Sequence, residues 1–246
     1  MMRNFKFILQ YEGTRYQGWQ KQDTTDNTIQ GKLENLLTLM CGEKVEVQGS
    51  GRTDAGVHAY AQVANAHMNT DMTEEEILDY MNGYLPEDIA VVSVTEVQER
   101  FHSRLNAKGK TYCYQVINSK IPQVFLRKFA YVVEPPLDLA AMRRAASYLE
   151  GTHDFKSFTS TKKGKKSTVR TITGILFEKE GDLIKIVYQG DGFLYHMVRI
   201  LTGTLLEVGL GKRKPEDIPE ILAALDREKA GMLVPAKGLT LVEVRY

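Results

Sequence analysis

The sequence Gly49-Ser-Gly-Arg-Thr-Asp-Ala-Gly-Val-His-Ala59 joins two short stretches typical of β-strands, residues 45–48 and 62–68. Its glycines can adopt positive φ or let another backbone come close, which other residues do poorly. Asp54 therefore lies on a tight connection between strands, where a scaffold holds it and a ligand can reach it. We expect Asp54 to be a nucleophile, with Arg52 reaching into the same small space.

Two other interpretations of this stretch compete with a nucleophile. A dinucleotide-binding loop would need glycine where Asp54 stands, and a carboxylate there is unsuited to phosphate. A turn in which Asp54 only caps the backbone fits the residue types about equally well. Residues 51–59, however, closely resemble the signature of the TruA family of tRNA pseudouridine synthases, in which the aspartate is the nucleophile.

Length and composition bound the class of protein. The 246 residues suffice for one large domain or two of ordinary size, and 43% are hydrophobic, so we expect a packed core. No apolar run approaches the length of a membrane span, and the N-terminus lacks a signal-peptide pattern. Cys41 and Cys113 have neither metal-ligand nor disulfide spacing. A cytoplasmic protein without a membrane segment is expected.

Charge is unevenly distributed along the chain. Residues 1–99 contain 7 Lys/Arg and 16 Asp/Glu, whereas residues 100–246 contain 25 and 15. Two stretches, residues 100–133 and 156–170, are basic and free of acidic residues. Such asymmetry favours a cationic face for a polyanion, although a single charge run is usually just solvated surface. The expected phosphate contacts are Lys162, Lys163, Lys165, Lys166 and Arg170.

Hydrophobic periodicity predicts an α+β protein in two similar halves, residues 1–105 and 106–246. Each half runs strand, helix, strand, strand, helix, strand, and the two sheets are expected to join edge to edge around a cleft. The predicted strands are 4–11, 45–48, 62–68, 90–97, 111–117, 171–178, 183–189 and 239–246. The predicted helices are 28–40, 73–81, 138–151, 193–208 and 215–225. The resemblance implies the same arrangement: the pseudouridine synthase fold, with a mainly antiparallel central sheet.

Two residues of the second half are candidates to complete the site. Tyr112 and Tyr114 alternate on a predicted strand, where tyrosines usually belong to the core. The resemblance implies that Tyr112 lies against the target base. Arg199 lies among apolar residues of a predicted helix, where it would need a charged partner unless its side chain reaches solvent. An ion pair with Asp54 would supply that partner, and the resemblance favours it.

The sequence lacks a phosphate-binding loop, a metal-ligand cluster and a nicotinamide fingerprint, so no cofactor and no metal are expected. The resemblance implies an isomerase that converts uridine to pseudouridine at positions 38, 39 and 40 of the tRNA anticodon stem-loop. It also implies a homodimer. The base must leave its stack before the sugar is reached, and Arg52 is expected to fill the space it vacates. Whether Asp54 attacks the sugar covalently or acts through ion pairing and proton removal stays open.

Two alternatives from other functional classes remain at this point. The βαββαβ order is also that of RNA-recognition modules, but no aromatic RNP1 sequence is present. A hydrolase acting on a nucleoside or glycoside would use a second carboxylate, and none lies near Asp54 in the sequence.

Overall fold

The computed structural model describes residues 2–161 and 167–246. Within these residues the secondary structure is of the α+β class, as predicted. The strands are β1 (Met2–Tyr11), β2 (Val47–Gly49), β3 (His58–Asn69), β4 (Ile89–Val97), β5 (Gly109–Ile117), β6 (Tyr131–Val132), β7 (Gly151–Asp154), β8 (Val169–Glu180), β9 (Leu183–Gly190) and β10 (Leu239–Arg245). The α-helices are α1 (Ile29–Cys41), α2 (Glu74–Tyr84), α3 (Leu139–Ser147), α4 (Met197–Gly209) and α5 (Ile218–Ala224).

The chain forms two compact units, which differ from the predicted halves at the C-terminus. The first unit comprises Met1–Lys108 together with Thr240–Tyr246, and the second comprises Gly109–Leu239. The C-terminal strand was assigned by the sequence to the end of the second half. In the structure most of β10 belongs to the first unit, where it pairs in parallel with the start of β3.

In the first unit, β1 lies between β3 and β4 and is antiparallel to both. The edge of β3 that faces away from β1 pairs with two strands. β10 pairs with it at His58 and Ala59, and β2 pairs with it antiparallel at residues 64–66. The alternating residues of β1 that the sequence placed on one face are all buried: Phe5, Phe7, Leu9 and Tyr11. The loop between β2 and β3 therefore connects two neighbouring strands of a sheet whose core is packed.

Local signals place both helices of the first unit. Thr28 caps α1 by accepting a hydrogen bond from the Gly31 amide, and α1 ends at Gly42 in the left-handed conformation. Thr73 and Glu76 form a capping box at the start of α2. The apolar faces of these helices are buried through Ile29, Leu33, Leu37, Ile77 and Met81.

In the second unit, β5, β9, β8 and β7 follow one another with antiparallel pairing, and β6 lies parallel to β5. The sequence missed β7, which follows the end of α3 and pairs with β8. The helix predicted from residue 193 begins only at Met197, because His196 has φ of 64° and interrupts the helical backbone. Residues 191–196 are therefore a loop, which we call the second-unit loop.

Candidate active site

The loop of residues 50–57, here the Asp54 loop, is tied to β3 at its base. The Ser50 amide donates to the Val63 carbonyl at 2.7 Å, and the Ser50 hydroxyl donates to Gln62 Oε1 at 2.7 Å. Gln62, which is fully buried, returns a bond from Nε2 to the Gly51 carbonyl at 3.0 Å. These bonds fix where the chain leaves the sheet, so the loop starts from a defined position.

Residues 11–20 contact the Asp54 loop and support it. The Trp19 amide donates to the Thr53 carbonyl at 3.0 Å, and the Tyr11 hydroxyl lies 2.8 Å from Thr53 Oγ1. A Cβ on Gly13 would lie 1.9 Å from the Val57 carbonyl oxygen, so only glycine fits there. The loop backbone thus lies directly on another backbone, and Trp19 belongs to the buried core.

Asp54 stands at the turn of this supported loop. Its carbonyl accepts a hydrogen bond from the Val57 amide at 3.1 Å, and Gly56 takes φ of 78°, as tight turns require. The residue is half-buried, so its carboxylate is neither in bulk water nor in the core. Burial raises the pKa of the supporting Tyr11 hydroxyl, which therefore stays neutral beside Thr53.

Arg52 is exposed and is held by a row of polar side chains that the sequence analysis missed. Its Nε donates to Gln20 Oε1 at 2.9 Å, and Gln20 Nε2 donates to Gln30 Oε1 at 2.7 Å. Gln30 Nε2 in turn donates to Glu34 Oε1 at 3.0 Å, and Glu34 is buried and pairs with Lys21 at 3.1 Å. A buried acid within the apolar stripe of α1 is the signal that could have revealed this row.

The second unit positions Tyr112 and Arg199. Tyr112 is buried on β5, and its ring meets the ring of Phe193 edge to face, with 5.3 Å between centroids. Tyr114 is a core residue whose hydroxyl donates to the Pro235 carbonyl at 2.8 Å. Arg199 is half-buried on α4, and its Nε donates to the Val234 carbonyl at 2.8 Å, which orients the guanidinium.

Arg170 lies beside the second-unit loop. A Cβ built on Gly192 would be 3.7 Å from Arg170 Nε, so the guanidinium lies alongside that glycine. Arg170 Nη1 also donates to the carbonyls of Ser167 at 3.0 Å and Val169 at 2.6 Å. The arginine is thereby fixed close to the loop that leads into α4.

Tyr195 and His196 end this loop as a stacked pair that the sequence analysis did not single out. Their ring centroids are 3.7 Å apart with 27° between the planes. His196 Nδ1 lies 2.8 Å from the Ser160 hydroxyl, and Tyr195 is 56% exposed.

The predicted site residues are thus distributed over both units. Asp54 and Arg52 share one loop of the first unit, whereas Tyr112, Arg170 and Arg199 belong to the second. The predicted phosphate contacts Lys162, Lys163, Lys165 and Lys166 lie outside the described residues. Among residues 2–161 and 167–246 there is no cluster of three or more His, Cys, Asp or Glu suited to a metal ion.

No helix in the same ranges is both long and apolar enough to cross a bilayer.

The sequence comparisons with known proteins identify one family. The sequence model of a family described as tRNA pseudouridine synthase matches residues 8–106 and 145–246. Proteins named tRNA pseudouridine synthase A from Bacillus sp. (strain KSM-64) and from Acetivibrio thermocellus are each 46% identical over 245 residues, covering 100% of both chains. One named tRNA pseudouridine synthase A 1, from Clostridium tetani, is 50% identical with the same coverage.

Among solved structures, a Cbf5-Nop10-Gar1 complex aligns with 97% of this chain and 49% of the matched chain. The identity is 14% and the TM-score is 0.38, a likeness too distant to carry an argument.

Proposed function

The chain belongs to the tRNA pseudouridine synthase family and isomerises uridine to pseudouridine in tRNA, and we propose that Asp54 is the nucleophile of this reaction. We further propose that the target uridines are those at positions 38, 39 and 40 of the anticodon stem-loop. The assignment rests on the position of Asp54 at the turn of its loop. Hydrogen bonds fix this loop to β3 and to the segment of residues 11–20.

The reaction breaks the N1–C1′ bond of uridine, rotates the uracil and joins C5 to C1′. The C5 proton is lost and N1 gains one, so the net change is an isomerisation without an oxidant or cofactor. A carboxylate beside C1′ assists by covalent attack or by stabilising the cationic sugar and removing a proton. A preorganised carboxylate serves both routes, because the loop does not have to be ordered during the reaction.

The roles of three further residues follow from this assignment. Arg199 would form an ion pair with Asp54 and keep the carboxylate ionised as water leaves the site. Tyr112, already braced by Phe193, would provide a flat wall that retains the uracil while it turns. Arg52 would enter the space left by the extruded base and offset part of the few kcal/mol that flipping costs.

The basic residues of the second half would contact the tRNA backbone. Arg170 is fixed beside the second-unit loop, and the four lysines between residues 162 and 166 would extend the cationic surface. The family further suggests a homodimer, in which one tRNA is held across two copies. Light scattering of the purified protein, with and without tRNA, tests this state directly.

The central experiment compares wild type with Asp54→Asn on unmodified tRNA carrying uridines in the anticodon arm. Pseudouridine-specific chemical mapping reports both the extent and the position of modification. We expect the substitution to lower the single-turnover rate by at least about 10³-fold while tRNA affinity stays within a few-fold, because the amide keeps the shape but cannot act as the carboxylate.

Asp79→Asn is the matched control, since Asp79 is an exposed carboxylate on α2 of the same unit. It should leave the rate unchanged. Equal activity of Asp54→Asn and wild type would refute the nucleophile assignment. Release of free uracil would instead indicate hydrolysis, and modification only outside the anticodon arm would refute the proposed positions.

A further inference from the structure

The stacked pair Tyr195–His196 has features of a binding surface rather than of a packed core. We propose that it is a stacking platform for an unpaired nucleobase of the tRNA, separate from the target uracil. This inference rests on the proposed function for the identity of the ligand. It assigns a role to two residues that neither the catalytic assignment nor the phosphate contacts use.

The backbone of His196 adopts the left-handed conformation. Its φ of 64° is one of only two positive values among the non-glycine residues that the structure describes. This conformation is unfavourable for L-residues and persists only where surrounding contacts hold it, often at functional sites. In extended chain, successive side chains point to opposite sides. The left-handed turn at His196 removes that alternation and places the two rings face to face.

Several hydrogen bonds hold the Tyr195–His196 pair in place. The Tyr195 carbonyl accepts a bond from the Thr159 hydroxyl at 3.0 Å and another from the Ser160 amide at 3.3 Å. The Ser160 hydroxyl also meets His196 Nδ1 at 2.8 Å, which fixes the imidazole. The His196 carbonyl accepts from the Ile200 amide as α4 begins. An aromatic surface held in this way loses little entropy when it binds a base.

The pair is open to solvent and lies in a loop with another aromatic residue and a neighbouring cation. Tyr195 remains 56% exposed although its ring is stacked, so aromatic surface is offered to solvent. The same loop carries Phe193, which contacts Tyr112, and Gly192, which lies beside the guanidinium of Arg170. A loop that carries an exposed aromatic ring and also lies beside a cation matches single-stranded nucleic acid, whose bases stack while its phosphates pair with the cation. A protein partner would be an apolar or acidic surface, and the test below separates the two.

The experiment measures the equilibrium affinity of full-length Tyr195→Ala, Tyr195→Phe and wild type for unmodified tRNA at several salt concentrations. Loss of a stacked base should weaken binding about tenfold in Tyr195→Ala and less than twofold in Tyr195→Phe. The slope of log affinity against log salt should stay unchanged, because no phosphate contact is removed. A change in that slope together with the loss would indicate phosphate contact instead and overturn the platform.

Tyr84→Ala is the matched control. Tyr84 is 70% exposed and also lies against another ring, that of Tyr80, at 4.7 Å, but it belongs to α2 of the other unit. It should bind tRNA as wild type does. A second variant, His196→Asn, suits the left-handed backbone but lacks the full ring, so it should keep or raise thermal stability while weakening tRNA binding several-fold.

The outcomes separate this inference from the proposed function. If wild type makes pseudouridine but Tyr195→Ala binds tRNA as tightly as wild type, the platform is refuted and the function stands. If wild type makes no pseudouridine yet Tyr195→Ala alone loses tRNA affinity, the platform stands and the function is refuted. Tyr195→Ala and Tyr84→Ala losing affinity equally would also refute a specific platform.

Discussion

The Asp54 loop and the second-unit loop both present functional candidates, but different forces shape them. The Asp54 loop lies on the backbone of residues 11–20, so glycines at contact points such as Gly13 decide its path. The second-unit loop is shaped by one unfavourable backbone conformation, at His196, which side-chain bonds from Thr159 and Ser160 maintain.

This difference teaches where each loop is vulnerable. A loop seated on another backbone has no room to relax, so an added methyl group displaces the catalytic turn itself. In the second-unit loop an added Cβ on Gly192 would make only an ordinary contact, so we expect the strained residue and its partners to be the sensitive positions. Substitutions and changes of pH test this difference in sensitivity between the two loops.

The largest effect is expected for Gly13→Ala. The new Cβ would lie 1.9 Å from the Val57 carbonyl oxygen, so either the Asp54 loop or the supporting segment must move. We expect the free energy of unfolding to fall by about 3 kcal/mol or more, with loss of activity. Gly83→Ala, where nothing lies within 4 Å on α2, should instead stabilise by about 0.5–1 kcal/mol. Urea denaturation measures the free energy of unfolding of both variants. A small loss of stability in Gly13→Ala would contradict the close contact between the Asp54 loop and the backbone at Gly13.

Alkaline pH should affect the two units alike, because each contains a buried tyrosine bonded to a threonine. Tyr11 lies 2.8 Å from Thr53 and Tyr188 lies 2.8 Å from Thr202, and burial raises both pKa values. The unfolded chain ionises these groups near pH 10 while the folded chain keeps its protons. The free energy of unfolding should therefore be flat up to about pH 10 and then fall, by up to about 1.4 kcal/mol per pH unit for each tyrosine.

Tyr11→Phe and Tyr188→Phe provide the check, since each removes one ionising group. Each should make the alkaline loss of stability shallower, as measured by denaturation between neutral pH and pH 11. A slope that neither substitution changes would show that other groups cause the loss.

A smaller effect is expected for Gln20→Leu, which removes the acceptor that orients Arg52. We expect kcat/KM for tRNA to fall about 3–10-fold with little change in thermal stability, because Arg52 loses its fixed orientation but not its charge. Gln22→Leu, which changes an exposed glutamine two residues further along the chain, should have no such effect. Equal rates for both variants would show that Arg52 does not depend on Gln20.

The smallest effect is expected for Gly192→Ala in the second-unit loop. The added Cβ would meet Arg170 Nε at 3.7 Å, an ordinary contact, so stability should change by no more than about 0.5 kcal/mol. Gly190→Ala, two residues earlier, would place a Cβ 2.7 Å from the Thr171 carbonyl oxygen and should cost about 1–3 kcal/mol. Thermal melts compare the two directly, and a large loss in Gly192→Ala would mean that this loop is as tightly seated as the other.

The sequence by itself determined the local elements and the family. Alternation predicted β1 and helical spacing predicted α1 and α2, because each pattern depends on residues a few positions apart. The residues around Asp54 identified the family for the same reason, since a continuous run of chain carries them. Even so, strand ends were misjudged: β3 begins at His58, four residues before the predicted start.

Only the tertiary structure determined which distant segments these elements pair with and contact. The pairing of β10 with β3, the seating of the Asp54 loop on Gly13 and the row from Arg52 to Glu34 join residues far apart in the chain. The late start of α4 also depends on distant residues. The local sequence pattern predicts a helix at His196, but contacts from Thr159 and Ser160 hold this residue in the left-handed conformation. Periodicity records only near neighbours, whereas these features depend on packing between distant segments.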